Sequence, residues 1–169
     1  MRPDSPLARL LNGPMRPGRV VWIGIRPERR GAVVAVDAAE LVAGRGIMGD
    51  HYKSSSDGPR QVTLIQREHL QAIASFLGVE QVDPAALRRN IVVEGVNLLA
   101  LKDRRIRIGD AELAWSGACD PCGRMDEALG PGGYNAVRQH GGVTARVIKG
   151  GQVRVGDEVE RLLDDHARA

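Results

Sequence analysis

The sequence predicts a mainly β fold of the α+β kind: a barrel of about eight or nine short strands with short helices inserted. Three observations lead there. Short runs of β-branched residues, continuous or alternating with polar ones, recur from Val20 to Leu162, and a period of two marks strands. Most of these runs are separated by glycine turns, such as Gly109-Asp110, Gly150-Gly151 and Gly156-Asp157. Only Arg67–Leu77 has a clear helical period, so the regular alternation of strand and helix that a doubly wound sheet needs is missing.

The elements follow in order. Residues 1–18, rich in Pro, Gly and Arg, read as a flexible arm with one helical turn at Leu7–Leu11. Val20–Ile25 and Ala32–Val36 form two strands about a turn bracketed by Pro27 and Gly31, and Glu40–Ala43 is a third. Gly44–Arg60 is too polar for core and too long for a simple turn, which marks it as a candidate functional loop. Gln61–Ile65 is a strand. In the helix that follows, Leu70, Ile73, Ala74 and Leu77 share one face and Gly78 ends it. Asp83-Pro84 has the signature of a helix start, so Ala85–Leu87 is predicted as a short helix. Ile91–Val93 is a strand and Leu98–Leu101 a short apolar piece. Arg105–Ile108 and Ala111–Trp115 make a hairpin. After the cysteine stretch, Tyr134–His140 is predicted helical, and Val143–Ile148, Gln152–Val155 and Glu158–Leu162 are strands. The segment Ile106–Asp110 echoes Val153–Asp157, which turn chemistry explains better than a repeat. The domain organisation is then an arm at 1–18, one domain at 19–162 and a charged tail at 163–169.

Composition narrows function. The 24 basic and 21 acidic side chains leave +3, interspersed rather than blocked, too little to imply a nucleic-acid binder. An aromatic content of 3% counts against a platform that stacks bases. Two cysteines cannot form a disulfide framework. The N-terminus does not read as a secretory signal, and no run approaches the roughly 20 apolar residues of a membrane span, so a cytoplasmic location is the expectation.

Both cysteines lie in Cys119-Asp120-Pro121-Cys122. Asp120 suits an N-cap and Pro121 the first helical position, which places Cys122 in the first turn of a helix. Exposed N–H groups and the helix dipole there favour a thiolate. Cys122 has three readings: a buried small hydrophobe, half of a redox pair with Cys119, or a thiolate that acts as nucleophile or ligates a soft metal. Zinc is weaker, because His51, His69, His140 and His166 show no paired spacing. Arg88-Arg89-Asn90 is either a solvated corner or an anion clamp, since the guanidinium fork suits phosphate. Lys53, Ser54 to Ser56, Arg60 and Gln61 can add donors from the long loop. Arg124 can support a thiolate at Cys122, against Asp120 and Asp126. No phosphate-binding glycine motif of the P-loop or dinucleotide kind occurs.

The chain resembles the MOSC domain family, named for the C-terminal domain of molybdenum cofactor sulfurase, as a stand-alone bacterial-type protein. The likeness runs through most of residues 20–162. It rests on Gly46–His51, Arg60–Ile65, Arg88–Leu98, Ile106–Asp110, Pro121-Cys122, Gly141–Val147 and Gly150–Asp157. It implies a MOSC-like β-barrel and a cysteine, by position Cys122, that ligates molybdenum or carries sulfur as a persulfide. It implies binding of the molybdenum cofactor (molybdopterin) by the Arg88–Asn90 corner, with Arg88 the better match; Lys53, Ser54, Arg60 and Arg124, the donors read from the residues themselves, are expected to join that corner in holding it. Some relatives reduce N-hydroxylated small molecules, so an electron-donor protein is an expected partner. In the sulfur-carrier alternative the partner is a cysteine desulfurase, which would hold the pyridoxal phosphate. A thiol-redox or binding domain using Cys119 and Cys122 is the second alternative. Two departures stand out: Asp50 and His51 are adjacent where the family often has a basic residue between them, and Cys119 is an extra thiol.

Overall fold

The computed structural model describes residues 5–51 and 57–162. The strands are β1 (Gly18–Ile25), β2 (Val34–Val36), β3 (Ala38–Val42), β4 (Gly46–Ile47), β5 (Val62–Gln66), β6 (Ile91–Glu94), β7 (Arg105–Ile108), β8 (Ala111–Ala118), β9 (Val143–Lys149), β10 (Gly151–Arg154) and β11 (Glu158–Leu162). The helices are α1 (Pro6–Leu11), α2 (Arg67–Leu77), α3 (Arg124–Leu129) and α4 (Gly133–Val137), with a 3-10 turn at Leu98–Leu101.

Seven strands close into a barrel in the order β11-β7-β8-β9-β5-β6-β1. The ring shuts where Gly18 pairs with Val159 and Arg19 with Glu158. β2 hangs on β1 as the second arm of a hairpin. The β5–β6 pair is parallel, because the chain crosses over through α2 between them, while the other barrel pairs are antiparallel. A smaller sheet, β10-β3-β4, adds Ala39, Leu41, Ile47 and Val153 to the barrel core.

The alternation read in the sequence sets two cores. Leu64 of β5 and Ile91 and Val93 of β6 point into the barrel. Their neighbours Ile65 and Val92 point outward, under Leu70, Ile73 and Ala74 of α2, with Leu87, Met125 and Val137. Ile23, Leu64, Ile65, Ile91 and Leu113 are fully buried, each worth roughly 1.5–3 kcal/mol relative to exposure.

Eleven strands among the described residues exceed the expected eight or nine. The two-residue β4, inside the long loop, is too short to show a period. Three local expectations also change. Residues 84–88 form turns, not a helix: Ala85 N–H donates to Asp83 Oδ1, and Ala86 and Arg88 N–H groups donate three residues back. Arg88 then adopts φ 59°, which ends any helical run. Asp120 is not an N-cap. Cys119 N–H donates to the Gly142 carbonyl at 2.9 Å, prolonging the β8 pairing past Ala118, so the helix starts only at Arg124 with Gly123 as its N-cap. Cys122 therefore precedes α3, and its carbonyl accepts from Met125 N–H. Finally, Tyr134–His140 shortens to α4, ending at Val137.

The two Gly-Asp turns differ in role. Gly109-Asp110 closes the β7–β8 hairpin. Gly156-Asp157 carries the chain from the small sheet into the barrel, because β10 pairs with β3 while β11 pairs with β7 and β1. The turns also meet. Gly109 lies against the Asp157 carboxylate at φ 53°, and Asp110 N–H donates to the Gln152 carbonyl at 3.1 Å. Ahead of the barrel, Ser5 caps α1, and Arg161 donates to the carbonyls of Leu11, Asn12 and Gly13.

Candidate functional site

Three elements converge on one polar cleft beside β5 and β6. The end of β1 supplies Arg26, the start of β5 supplies Gln61 and Thr63, and the turn before β6 supplies Arg88, Arg89 and Asn90. The loop between β4 and β5 adds Asp50, His51 and Arg60. The cleft holds about 90 Å³, well below the roughly 300–1,000 Å³ of a pocket that encloses a drug-sized ligand.

Asn90 welds the floor. Its Oδ1 accepts from Thr63 N–H at 3.1 Å and Thr63 Oγ1 at 2.9 Å, and its Nδ2 donates to the Gly24 carbonyl at 3.3 Å. Asn90 N–H donates to Thr63 Oγ1 at 2.9 Å, and Gly24 N–H to the Asn90 carbonyl at 2.7 Å. One side chain thus fixes β1, β5 and β6 together. Gln61 anchors the loop in the same way: its Nε2 donates to Asp57 and the Gly58 carbonyl, while its Oε1 accepts from Val147 N–H.

The rim is basic. Arg26, Arg60 and Arg88 line the cleft, and Asp50 is the one carboxylate among the described residues that line it. Burial lowers the Arg26 pKa from its ordinary value, Arg88 and Arg124 lower it further, and Asp50 opposes them. Burial likewise lowers His51, followed by the charge of Arg26, with smaller contributions from Arg88 and Arg29 against Asp50. His51 is therefore neutral near pH 7 and accepts from Arg26 Nε at 3.1 Å.

Arg89 turns away from solvent. It is 7% exposed and donates to the carbonyls of Gly141 at 2.6 Å, Leu87 at 2.6 Å and Cys119 at 3.4 Å. Burial lowers its pKa, and the nearby Cys119 and Cys122 oppose that. Arg89 thereby ties the cleft to the cysteine loop. Both thiols are free; Cys119 is half-buried and Cys122 exposed.

Of the residues singled out in the sequence, Arg60, Arg88 and Asn90 come together in the cleft. Arg124 stands outside the lining, near enough to act on Arg26, and Cys122 stands outside it too, near enough to act on Arg89. Lys53 and Ser54 lie outside the described residues. Sequence reasoning missed Arg26, read Arg89 within the Arg88–Asn90 corner without foreseeing that its donors go to buried carbonyls, and quoted Asp50 and His51 only as part of a motif. No local signal marks Arg26; it reaches the cleft because its carbonyl accepts from His51 N–H at 2.7 Å, across 25 residues. His69 and His140, scattered in sequence, also meet, with ring centroids 4.8 Å apart and edge to face. No group of three or more metal-ligating side chains of the His, Cys, Asp or Glu type occurs among the described residues.

No curated protein matches the chain. Among solved structures it is similar to the YuaD protein from Bacillus subtilis, at 22% identity and a TM-score of 0.75, over 85% of this chain and 94% of that one. It is similar to YiiM from Escherichia coli at 20% identity and a TM-score of 0.66, over 89% and 71% of the two chains. YiiM from Geobacillus stearothermophilus gives 16%, 0.66, 87% and 76%. At these identities the likeness establishes the fold. The sequence profile of the MOSC domain matches residues 48–160, and the chain belongs to the MOSC domain family.

Proposed function

We propose that the cleft and the cysteine loop together bind a molybdenum cofactor, and that the protein reduces N-hydroxylated small molecules with electrons from an outside donor protein. The observation that carries this reading is the set of four arginines, three of them at the rim, against a single carboxylate among the described residues that line one small cleft. Such a rim fits a phosphate, since guanidinium donors pair with its oxygens in forks. The cleft volume suits the anionic head of a cofactor and not its whole body. Cys122, exposed and unpaired, is open to a soft metal. The donor set therefore fits the group: Arg26, Arg60 and Arg88 would hold the phosphate, with Arg124 adding positive charge, and Cys122 would ligate molybdenum. When bound, the group supplies two-electron redox chemistry. The chain's own part is to orient it: Asn90 fixes the floor, and Arg89 fixes the cysteine loop relative to that floor.

Exposure of Cys122 also favours a second reading, a metal-free carrier that accepts a persulfide sulfur from a pyridoxal-phosphate-dependent desulfurase. One experiment separates the two. The protein is expressed in cells that make the cofactor and in cells that cannot, and molybdenum and pterin are measured in the product. Stoichiometric metal that is lost in Cys122→Ser and kept in Cys119→Ser supports the first reading. Metal-free protein from both hosts, with persulfide on Cys122 after exposure to a desulfurase, replaces it with the second.

A further inference from the structure

Nδ1 of His51 sits between two groups of opposite character. Arg26 Nε donates to it at 3.1 Å, and Arg26 Nη2 lies 2.9 Å from both ring nitrogens. Asp50 Oδ2 lies 3.8 Å from the same Nδ1. The backbones of the two segments are fixed to each other: His51 N–H donates to the Arg26 carbonyl, and Arg26 N–H to Asp50 Oδ1 at 2.8 Å. The side chains therefore have a choice that the backbone does not.

A neutral His51 offers a lone pair at Nδ1 and keeps its proton on Nε2. In that form it holds the Arg26 guanidinium folded against the ring. A protonated His51 has no lone pair to offer. It turns donor, Asp50 is the acceptor within reach, and Arg26 is released toward the cleft it already lines. Among the described residues, the charges facing His51 are Arg26, Arg29 and Arg88 against Asp50, and Arg60 lines the same cleft. With the cleft free of anion, that excess of positive charge disfavours a proton on the ring; an anion among the arginines reverses the sign.

We propose that a phosphate-type dianion is captured in this cleft together with one proton, taken up at Nδ1 of His51, so that Arg26 passes from the imidazole to the anion. The proposal rests on the anion-cleft reading given above and adds its regulation: capture tightens as pH falls. By linkage, affinity rises as pH drops through the His51 pKa of the complex and levels off below that of the free protein.

The probe is sulfate, which stays dianionic across the range in which histidine titrates. Calorimetric titrations in two buffers of different ionisation heat count the protons taken up per sulfate bound. The expected result is uptake approaching one proton near neutral pH, and affinity on the order of a hundredfold higher at about pH 5.5 than at about pH 8. In His51→Gln that uptake disappears and the affinity flattens. In the unaltered protein, the imidazole resonances of His51 titrate at higher pH with sulfate than without, a measurement that needs no variant to fold. Sulfate binding without proton uptake, or with a His51 titration unmoved by sulfate, overturns the coupling and leaves the anion cleft standing. No sulfate binding at any pH, in a protein whose His51 resonance shows it folded, overturns the anion cleft and the coupling together.

Discussion

Arg89 Nε donates to the Gly141 carbonyl at 2.6 Å, so the turn before β6 is bolted to the glycine pair before β9. The same guanidinium holds the Leu87 and Cys119 carbonyls. Arg89→Met removes three donors from a buried site and leaves those carbonyls without partners. The expected loss is about 3 kcal/mol of stability, read from urea unfolding. The cysteine loop should also loosen, so Cys119, half-buried in the parent, should react faster with a small alkylating reagent. An Arg89→Met protein of unchanged stability and Cys119 reactivity would remove Arg89 from its place as the tie between cleft and thiols.

Arg88 adopts φ 59°, a conformation that side-chain-bearing residues enter at a cost. Its side chain makes no hydrogen bond or ion pair among the described residues, and it lines the cleft. Arg88→Gly should therefore raise stability by about 0.5–1 kcal/mol while weakening sulfate binding by roughly tenfold. Opposite signs in the two measurements are the signature of backbone strain kept for function. A loss in both would mean that Arg88 supports the fold.

Gly109 carries φ 53°, and an added Cβ would meet the Asp157 carboxylate and lie 2.7 Å from the Gln152 carbonyl. Gly109→Ala should cost about 2–3 kcal/mol. Gly78 has φ 67° and ψ 29°, in the left-handed region, with nothing within 4 Å, so Gly78→Ala should cost only the backbone share, about 1 kcal/mol. Urea midpoints of the two variants, measured side by side, decide whether the meeting of the two Gly-Asp turns matters beyond conformation.

His69 packs edge-on against His140, and burial, followed by His140, lowers its pKa below the ordinary 6.5. The unfolded chain therefore takes up this proton before the folded chain does. Stability from His69 is complete above about 6.5 and is lost as pH falls from there toward the folded-state value. His51, lowered in the folded protein, acts in the same direction. The urea midpoint should fall between about pH 7.5 and about pH 5.5, and His69→Phe should flatten part of that slope. A slope unchanged by His69→Phe would show that the acid sensitivity arises elsewhere.

Strands were legible wherever alternation serves two cores. Leu64 and Ile65 in β5, and Ile91, Val92 and Val93 in β6, announce a sheet buried on both faces. Their parallel pairing was not legible, because it depends on α2 packing across them. Asp83 does make the local hydrogen bond its identity promised, to Ala85 N–H, yet no helix follows because Arg88 reverses the chain. Asp120 offered a similar promise, and the pairing of Cys119 with Gly142 overrode it. In the site, Arg60, Arg88 and Asn90 were readable because they sit in contiguous polar segments beside strands. Arg26 and His51 were not, since their meeting depends on a loop returning across 25 residues.

The seam where Gly18 meets Val159 sets an order of assembly. Among the described residues the first barrel strand must wait for the seventh, and until Glu158–Leu162 emerges β7 and the Gly18–Arg19 end of β1 keep an edge unpaired. Such long-range closure slows folding and leaves a nascent chain with sticky strand edges. A chaperone that shelters those edges during translation would act on this protein chiefly before β11 appears.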